Sequence, residues 1–225
     1  MTLSVIVPTF NEEAIIVSVL QHIRATLSPH ELIVADGSST DRTVERARTC
    51  ATVITSEASR GAGLNAAAAI ATGDVLLFLH ADTIVPSGAA DAISGAMAAP
   101  EVIGGAFRLR FDHPGRLALF VARSVNVRSK LLNTFFGDQA MFVRRDVFTR
   151  AGGFSDWSVM EDIEILRRLR RHGRLVLLDQ SVITSARRHE NRGWIRTLVT
   201  VWVITLLHRM GMSGRALRRL YGAER

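Results

Sequence analysis

The stretch GDVLLFLHADT, residues 73–83, decides the fold of this chain. Its apolar residues run without interruption from Val75 to Leu79, and an acidic residue, Asp82, follows soon after. An uninterrupted apolar run of this length is typical of a strand that is buried on both faces, as in the centre of a parallel sheet. Ligands bind beyond the carboxyl ends of such strands, so Asp82 is a candidate metal or phosphate ligand. A turn aspartate before Pro86 is the structural alternative.

Before this strand, short apolar runs alternate with helical patterns. Asn11 is predicted to cap the first helix, with Glu12 and Glu13 in its first turn. The alternation of strands and helices predicts a doubly wound α/β domain. The predicted strands are Leu3–Val7, Glu31–Ala35 and Thr52–Thr55, and later helices are predicted to begin near Thr40 or Asp41 and to cover Leu64–Ala71.

Three polar segments follow the ends of different predicted strands, namely Pro8–Glu12, Asp36 and Asp82. The carboxyl ends of parallel strands share one edge, so these segments are expected to converge on one crevice. The dinucleotide fingerprint GxGxxG is absent after the first strand, and the triphosphate loop GxxxxGK[ST] is absent too. The absence of the dinucleotide fingerprint argues against a hydride-transfer enzyme. A nucleotide bound here would be held by carboxylates and a metal rather than by a glycine cradle.

Length and composition indicate one sizeable domain, since the chain has 225 residues of which 48% are hydrophobic. The single cysteine, Cys50, excludes an internal disulfide and a cysteine-rich zinc site and fits a reducing compartment. The N-terminus has no basic lead, and its apolar run is too short for a signal peptide. We therefore expect a cytoplasmic protein.

The net charge of +7 is carried almost wholly by arginine, because Lys130 is the only lysine. Arginine binds phosphate and carboxylate groups bidentately, so anionic partners are expected. No nucleic-acid-binding motif accompanies the charge, and nucleic acid is not an expected partner. An anionic membrane surface and a solvated arginine-rich face are the remaining interpretations.

Seven motifs follow one another along the chain: PTFNEE (8–13), ADGSSTDRT (35–43), RGAGLNAAAAIATGD (60–74), FLHADT (78–83), GGAFRLRF (104–111), GDQAMFVRRDVF (137–148) and GGFSDWSVMEDIEILRRLRRHG (152–173). Together they resemble the family 2 glycosyltransferases, and FLHADT with GDQ and MEDIE resembles a small, single-domain bacterial subgroup. The resemblance covers roughly residues 3–178. It implies an α/β GT-A fold, Rossmann-like, with a mixed and mostly parallel sheet flanked by helices.

The resemblance assigns a nucleotide-diphosphate sugar to the first motifs. It implies that Asp36 binds the edge of a uracil or guanine base, and an ionised carboxylate suits the imide N–H of such a base. A turn aspartate is the alternative for Asp36, and a strand end is the alternative for Pro8. The residues implied at the base, ribose and phosphates are Pro8, Thr9, Phe10, Glu12, Asp36 and Arg60.

The family's Asp-x-Asp element corresponds to His80-Ala81-Asp82, so Asp82 is the implied ligand of Mg²⁺ or Mn²⁺. His80 replaces the first aspartate, and this departure puts the ribose contact in question. A neutral His80 could donate to a ribose hydroxyl or approach the metal. His189 corresponds to a position that sometimes adds a metal or diphosphate contact, with a surface histidine as the alternative.

The acidic pair Glu161-Asp162 corresponds to the family's catalytic motif, in which the aspartate is the general base. Glu161 also completes an S-x-x-E capping box with Ser158, and we assign it mainly to capping. Asp138 and Gln139 are implied contacts of the acceptor or the donor sugar. A tight turn is their structural alternative.

The chain is expected to divide into a GT-A domain, residues 1–190, and a helical extension, residues 191–225. Within the stretch Trp194–Met212, the uninterrupted low-polarity part is about 11 residues, short of the roughly 20 that span a bilayer. It could lie in the interface of an anionic membrane. Packing on the domain and a homodimer face are the alternatives.

The sequence therefore predicts an inverting, metal-dependent glycosyltransferase that uses a nucleotide-diphosphate sugar, with UDP favoured because it is the family's commonest carrier. The acceptor is an unidentified hydroxyl, and a lipid-linked acceptor at the inner face of the membrane is one option. A catalytically silent nucleotide-sugar-binding protein and a sugar nucleotidyltransferase are the alternatives. The latter would need a glycine-rich loop where PTFNEE stands.

Overall fold

A computed structural model of the chain describes residues 1–56, 59–155 and 161–212. Two sequence predictions fall partly outside these ranges. The capping box of Glu161 involves Ser158, which lies outside the described residues, and the predicted extension is described only as far as residue 212.

The strands of the described residues form one eight-stranded sheet in the order β3-β2-β1-β4-β7-β6-β8-β5. Strand β1 pairs in parallel with β2 and β4, β2 pairs in parallel with β3, and β6 pairs in parallel with β8. The antiparallel pairs are β7 with β4, β7 with β6, and β5 with β8. This mixed sheet confirms the predicted α/β class. The strands are β1 (Leu3–Thr9), β2 (Glu31–Asp36), β3 (Thr52–Thr55), β4 (Val75–Phe78), β5 (Thr83–Ile84), β6 (Val102–Phe111), β7 (Met141–Arg144) and β8 (Arg174–Thr184).

Strand β4 is buried on both faces, as its apolar run predicts. Val75 and Leu77 belong to one hydrophobic cluster, and Leu76 and Phe78 belong to the cluster on the other face of the sheet. Successive side chains of a strand point to opposite faces, so only a strand between two helical layers needs apolar residues at every position. This strand carries His80 and Asp82 to the edge of the sheet.

Helices cover both faces of the sheet. Buried residues of α1, α4 and α5 pack in the first cluster, and buried residues of α3, α6 and α7 pack in the second. Among the described helices, none is long and apolar enough to cross a membrane. The helices are α1 (Ile16–Leu27), α2 (Thr43–Ala47), α3 (Arg60–Ile70), α4 (Ala89–Met97), α5 (Arg116–Leu132), α6 (Arg145–Arg150), α7 (Glu161–Leu169), α8 (Arg187–Arg192) and α9 (Trp194–Arg209).

The prediction that Asn11 caps the first helix is wrong, because α1 begins at Ile16. Asn11 has a left-handed backbone with φ of 54°, a conformation that asparagine tolerates better than most residues. Its N–H donates to Ser39 Oγ (2.8 Å), and its Oδ1 accepts from the N–H of Thr40 (2.9 Å). The asparagine therefore joins the loop after β1 to the loop after β2.

The prediction that the third helix starts at Leu64 is also wrong, since α3 already begins at Arg60. Ser59 caps it, with its Oγ accepting from the N–H of Ala62 (3.2 Å). The glycines at the start of α3 suggest a loop, but Gly61 lies in the helix and allows a neighbouring segment of the backbone to pack closely against it. A Cβ at residue 61 would lie 2.4 Å from the carbonyl oxygen of Ser155.

Candidate active site

The carboxyl ends of β1 and β2 meet at Thr9 and Asp36, which are register partners. Asp36 is 1% exposed, and its carboxylate accepts hydrogen bonds from Thr9 Oγ1 (3.0 Å), Ser39 N (2.8 Å) and Ser39 Oγ (2.6 Å). These bonds favour the turn interpretation of Asp36, because its oxygens stabilise the loop that follows β2. Its contact with a nucleotide base stays a prediction.

The loop after β1 holds the other implied nucleotide contacts. The N–H of Glu12 donates to Thr43 Oγ1 (2.8 Å), which fixes the loop against the start of α2. Pro8 is half-buried, whereas the side chain of Phe10 is 52% exposed at this end of the sheet. An exposed aromatic ring on an anchored loop is suited to stacking on a flat ligand such as a nucleobase.

Glu12 and Asp82 form an acidic pair that faces Arg187. The guanidinium Nη2 of Arg187 lies 3.8 Å from Glu12 Oε1. Burial raises the pKa of the Glu12 carboxyl, Arg187 lowers it, and the negative charge of Asp82 raises it further. Burial also raises the pKa of Asp82, against the influence of Arg187. The site thus combines two desolvated carboxylates with one cation, an arrangement suited to a metal-bound diphosphate.

The short strand β5 brings Arg187 to this position. Thr83 pairs with Thr184 of β8, and the N–H of Ser185 donates to the carbonyl oxygen of Asp82 (3.2 Å). Residues just after β8 therefore lie beside Asp82. From the sequence, Arg187 is a basic neighbour of His189 that would suit a diphosphate, but its place beside Asp82 depends on a pairing between segments about 100 residues apart.

Arg60 lies between His80 and Glu161. Its Nη2 contacts His80 Nε2, and its Nη1 lies 3.6 Å from Glu161 Oε1. A guanidinium can only donate, so a hydrogen bond between these two groups requires Nε2 of His80 to be the acceptor. His80 is half-buried, and the neighbouring Ala81 is buried. The histidine that replaces the family's first aspartate is thus a direct neighbour of Arg60.

Asp162 is fixed by a backbone group from another part of the chain. The N–H of Gly137 donates to Asp162 Oδ2 at 2.9 Å. A Cβ at residue 137 would lie 2.5 Å from His80 Nε2, 3.1 Å from Arg60 Nη2 and 3.3 Å from Asp162 Oδ2. A larger residue would require these side chains to shift, so the glycine allows four segments of the chain to meet at one point. The carboxylate of Asp162 is half-buried and oriented.

Glu161 is the most desolvated carboxyl of this group, with 4% of its surface exposed. Burial, and then the charge of Asp162, raise the pKa of Glu161 to about 7, while Arg60 opposes the shift. The negative charge of the adjacent Asp162 thus favours the protonated form of Glu161. Glu161 is therefore more than a helix-capping residue, because it helps to fix Arg60.

Gln139 has a structural role in the turn before β7. It is fully buried, its Oε1 accepts from Ser129 Oγ (3.0 Å) and from Phe136 N (3.3 Å), and its Nε2 donates to the carbonyl of Phe107 (3.1 Å). These bonds favour the tight-turn interpretation over a sugar contact. Asp138 is half-buried, and its charge acts on the buried guanidinium of Arg128. Its contact with a sugar stays a prediction.

The ring of His189 packs edge-on against Phe111, with 4.6 Å between ring centroids, and lies 5.0 Å from the Trp194 ring. The imidazole thus anchors the start of α9 to the end of β6. Its proposed metal or diphosphate contact is not tested by this packing and stays a prediction.

Within the described residues, no group of three or more histidine, cysteine, aspartate or glutamate side chains is arranged to hold a metal ion. A nucleotide-bound cation does not require such a group, because phosphate oxygens and water complete its coordination. Asp82 fits this task, since its carboxylate is partly buried and already desolvated.

A surface cavity of about 540 Å³ lies elsewhere, at the amino end of β4, and its lining includes Asp74, Val75 and Arg144. Ligands of open α/β sheets bind at the carboxyl ends of the strands. The guanidinium of Arg144 is also occupied, since it donates to the backbone carbonyls of Met97 (2.8 Å) and Val102 (3.0 Å). The cavity is not the candidate site.

The mixed sheet, with carboxylates at the carboxyl ends of β1, β2 and β4, has the GT-A fold of the solved glycosyltransferase structures described below. Residues 4–152 match the family described as glycosyl transferase family 2, and the chain belongs to that family of glycosyltransferases. A comparison with curated proteins gave no match.

Solved structures of the same fold include a mannosyltransferase, PcManGT from Pyrobaculum calidifontis, in complex with GDP-Man and Mn²⁺. It is 25% identical, with a TM-score of 0.66 over 90% of this chain and 59% of that chain. A second solved structure is glucosyl-3-phosphoglycerate synthase from Mycobacterium tuberculosis in complex with Mn²⁺, UDP and glucosyl-3-phosphoglycerate. It is 24% identical to this chain, with a TM-score of 0.66 over 94% of this chain and 81% of that chain. TarS of S. aureus, at 20% identity and a TM-score of 0.62, shares the fold over 91% of this chain and 40% of its own. This chain spans 59% of the mannosyltransferase's length, so that protein's substrates do not transfer directly.

Proposed function

We propose that the protein transfers a sugar, with inversion, from a nucleotide-diphosphate sugar to an acceptor hydroxyl in a reaction that depends on a divalent cation. The observation that carries this proposal is the oriented carboxylate of Asp162, which accepts the Gly137 N–H beside Arg60 and His80. Family membership supplies the reaction class. The same membership argues against the sugar nucleotidyltransferase alternative.

In the proposed reaction, Asp162 accepts the proton of the acceptor hydroxyl as its oxygen bonds to the anomeric carbon. The bond between that carbon and the diphosphate oxygen breaks on the opposite face, and its electron pair leaves with the diphosphate. One carboxylate is sufficient for this proton transfer. Arg60 and Arg187 are placed in this proposal to donate to phosphate oxygens, because guanidinium groups bind them bidentately.

Asp82 is the proposed protein ligand of the cation, with Glu12 as a second carboxylate nearby. When bound, Mn²⁺ or Mg²⁺ supplies positive charge against the charge that develops on the leaving diphosphate. The proposal of a divalent cation is supported by the Mn²⁺ named in two of the related structures. UDP is the favoured carrier, and GDP is the competitor that the mannosyltransferase suggests.

Calorimetric titration with UDP, GDP and dTDP, with and without Mn²⁺, tests the donor site. We expect Mn²⁺-dependent binding of one nucleotide to the native protein, lost in Asp82→Ala and kept in Asp91→Ala, which removes an exposed carboxylate on α4. Binding that survives equally in both variants would show that Asp82 does not hold the cation.

A catalytically silent nucleotide-sugar-binding protein is the second candidate. The observation that favours it is His80, which stands in place of the first aspartate and is engaged by Arg60. Release of UDP from UDP-sugars in the presence of Mn²⁺ distinguishes the two, because slow transfer to water needs no identified acceptor. Tight binding without release of nucleotide, whichever acceptor extract is supplied, would favour the silent protein.

The proposal has two further parts, namely that the acceptor is lipid-linked and that the protein lies at the inner face of a membrane. They require a surface of the protein that binds lipid.

A further inference from the structure

The exposed apolar side chains of the described residues are concentrated on two helices. All but four of the large ones lie on α5, on α9 or directly after α9, and those four are Met1, Phe10, Ile70 and Ile84. A patch of this kind on a protein surface marks a binding face, because single exposed apolar residues are normally scattered.

On α5, four of the five exposed large apolar residues form one stripe, and Leu119 lies beside it. Leu117, Phe120, Val127 and Leu131 are 41–73% exposed and follow one another at intervals of three, four or seven residues, which is the spacing of one helix face. The opposite face of α5 is buried in the first core cluster through Val121 and Val125. The helix therefore has two apolar faces, and the protein core covers only one of them.

On α9, Ile195, Val199, Trp202 and Leu206 form a second stripe with the same spacing, and they are 36–59% exposed. The two stripes meet, because the indole Nε1 of Trp202 donates to Ser124 Oγ at 3.0 Å in the middle of the α5 stripe. We call these two stripes the α5–α9 face.

The charges on the two helices of the α5–α9 face have one sign, and the exposed Glu190 of α8 lies near the start of α9. Residues 116–132 and 194–209 contain no aspartate or glutamate, whereas Arg116, Arg123, Lys130 and Arg196 are exposed on these helices. A two-fold dimer would bring this face against its own copy, with cation against cation. An anionic lipid surface complements both features, since it accepts apolar side chains and attracts basic ones.

We propose that the α5–α9 face is a docking surface for an anionic lipid bilayer, on which α5 and α9 lie parallel to the membrane plane. Helix α9 has 16 residues and is about 24 Å long, shorter than the hydrocarbon core of about 30 Å. This length suits a helix that lies in the interface rather than one that crosses it.

The two helices that carry the docking surface also contact segments of the candidate active site, so the inference rests on the proposed function and deepens it with regard to the acceptor. Ser129, near the end of α5, bonds to Gln139 in the turn that holds Gly137. Trp194, at the start of α9, packs on His189, two residues from Arg187. An acceptor whose hydroxyl is carried on a lipid would therefore reach the site from the bilayer side.

Sedimentation with vesicles tests the docking surface without nucleotide or acceptor. Phosphatidylcholine vesicles are compared with vesicles that also contain phosphatidylglycerol, at low and at high salt. We expect the native protein to sediment with the anionic vesicles only, and Phe120→Ser with Leu131→Ser to weaken this partition by about tenfold. Ile70→Ser, which alters an exposed apolar residue on α3, is the matched control and keeps full binding.

The charge contribution has its own pair of variants. Arg123→Gln with Lys130→Gln should weaken the partition by about 25-fold at low salt, and Arg48→Gln with Arg171→Gln, at other exposed positions, should not.

Three results would overturn the proposal: no binding to anionic vesicles, equal binding by Phe120→Ser/Leu131→Ser and the native protein, or a native dimer that this double variant converts to monomer in sedimentation velocity. The last result would assign the face to a second copy. UDP release measured without lipid separates a failure of docking from a failure of the proposed catalysis.

Discussion

The backbone N–H of Gly137 donates to Asp162 Oδ2 at 2.9 Å, and a Cβ on that glycine would collide with His80 Nε2 at 2.5 Å. One residue without a side chain therefore orients the proposed base and leaves room for the His80 ring beside it. The turn and the carboxylate come from segments 25 residues apart, so the contact depends on the fold.

Gly137→Ala should shift this turn and lower the rate of UDP release by about 100-fold, since a displacement of about 1 Å at a reacting group has effects of that size. Gly95→Ala is the control, because a Cβ there meets nothing within 4 Å and alanine favours the helix α4. Rates measured with UDP-sugar and Mn²⁺ check the pair. Equal rates for Gly137→Ala and the native protein would show that the geometry of the turn does not matter for catalysis.

Asp162→Asn should lower turnover by a factor of about 100 to 10,000, which is the usual contribution of a positioned general base. The amide oxygen can still accept the Gly137 N–H, so the fold and the affinity for nucleotide should be retained. Turnover and Mn²⁺-dependent UDP binding are measured on the same preparation. If turnover survives intact, the assignment of the base is wrong.

The raised pKa of Glu161, about 7, predicts that the free energy of unfolding depends on pH. Between pH 4.5 and 7 the unfolded chain releases this proton and the folded chain keeps it, so the contribution of Glu161 to stability is present below 4.5 and is lost as pH rises through 7. Glu161→Gln cannot ionise, and the variant should be more stable than the native protein at pH 8 by up to about 3 kcal/mol.

Urea unfolding of Glu161→Gln and the native protein at pH 5 and pH 8 measures this difference. Glu101→Gln, an exposed glutamate, is the matched control and should leave the pH dependence unchanged. The argument fails if Glu161→Gln and the native protein lose the same stability between the two pH values.

The sequence predicts those parts of the fold and site that depend on local patterns. Strand β4 can be predicted from the sequence, because a strand buried on both faces must be apolar at every position, as Val75 to Phe78 are. The convergence of Thr9 with Asp36 follows from strand order and register alone. The motifs of the family mark Asp82 and Asp162 by residue type.

The features that the sequence does not predict depend instead on contacts between segments that are distant in the chain. Asn11 has the local signature of a helix cap, but its side chain binds the Thr40 N–H of another loop instead. Gly61 has the signature of a loop, but it lies in a helix because the Ser155 backbone passes close to it. Arg187 reaches Glu12 only through the pairing of β5 with β8.

Arg187→Gln should weaken Mn²⁺-dependent nucleotide binding by roughly tenfold, because a charge-assisted contact to the diphosphate is lost. The guanidinium lowers the pKa of both Glu12 and Asp82, so both pKa values should rise in the variant. Binding should therefore fail at a higher pH than in the native protein as the solution is acidified.

Titrations with UDP and Mn²⁺ between pH 5 and 8 check both effects. Arg42→Gln, which removes an exposed pair with Glu45, is the control. Unchanged affinity would exclude Arg187 from the site.

The guanidinium of Arg128 is a cation buried inside the protein, and burying a charge is unfavourable in free energy. The side chain is fully buried, and among the described residues none accepts a hydrogen bond from its guanidinium. The group lies over the Phe136 ring at 4.2 Å, and burial lowers its pKa to about 10 although Asp138 opposes the shift.

A buried charge that makes no hydrogen bond is less favourable than an apolar side chain of similar volume, so Arg128→Met should raise the free energy of unfolding by about 1–3 kcal/mol at pH 7. Urea unfolding measures the change, and Arg123→Met, at an exposed position of the same helix, should change stability by less than about 0.5 kcal/mol. The stacking of the guanidinium on Phe136 acts in the other direction and is worth about 2 kcal/mol at most in a desolvated site. A less stable Arg128→Met would therefore show that the ring and Asp138 together outweigh the cost of burying the charge.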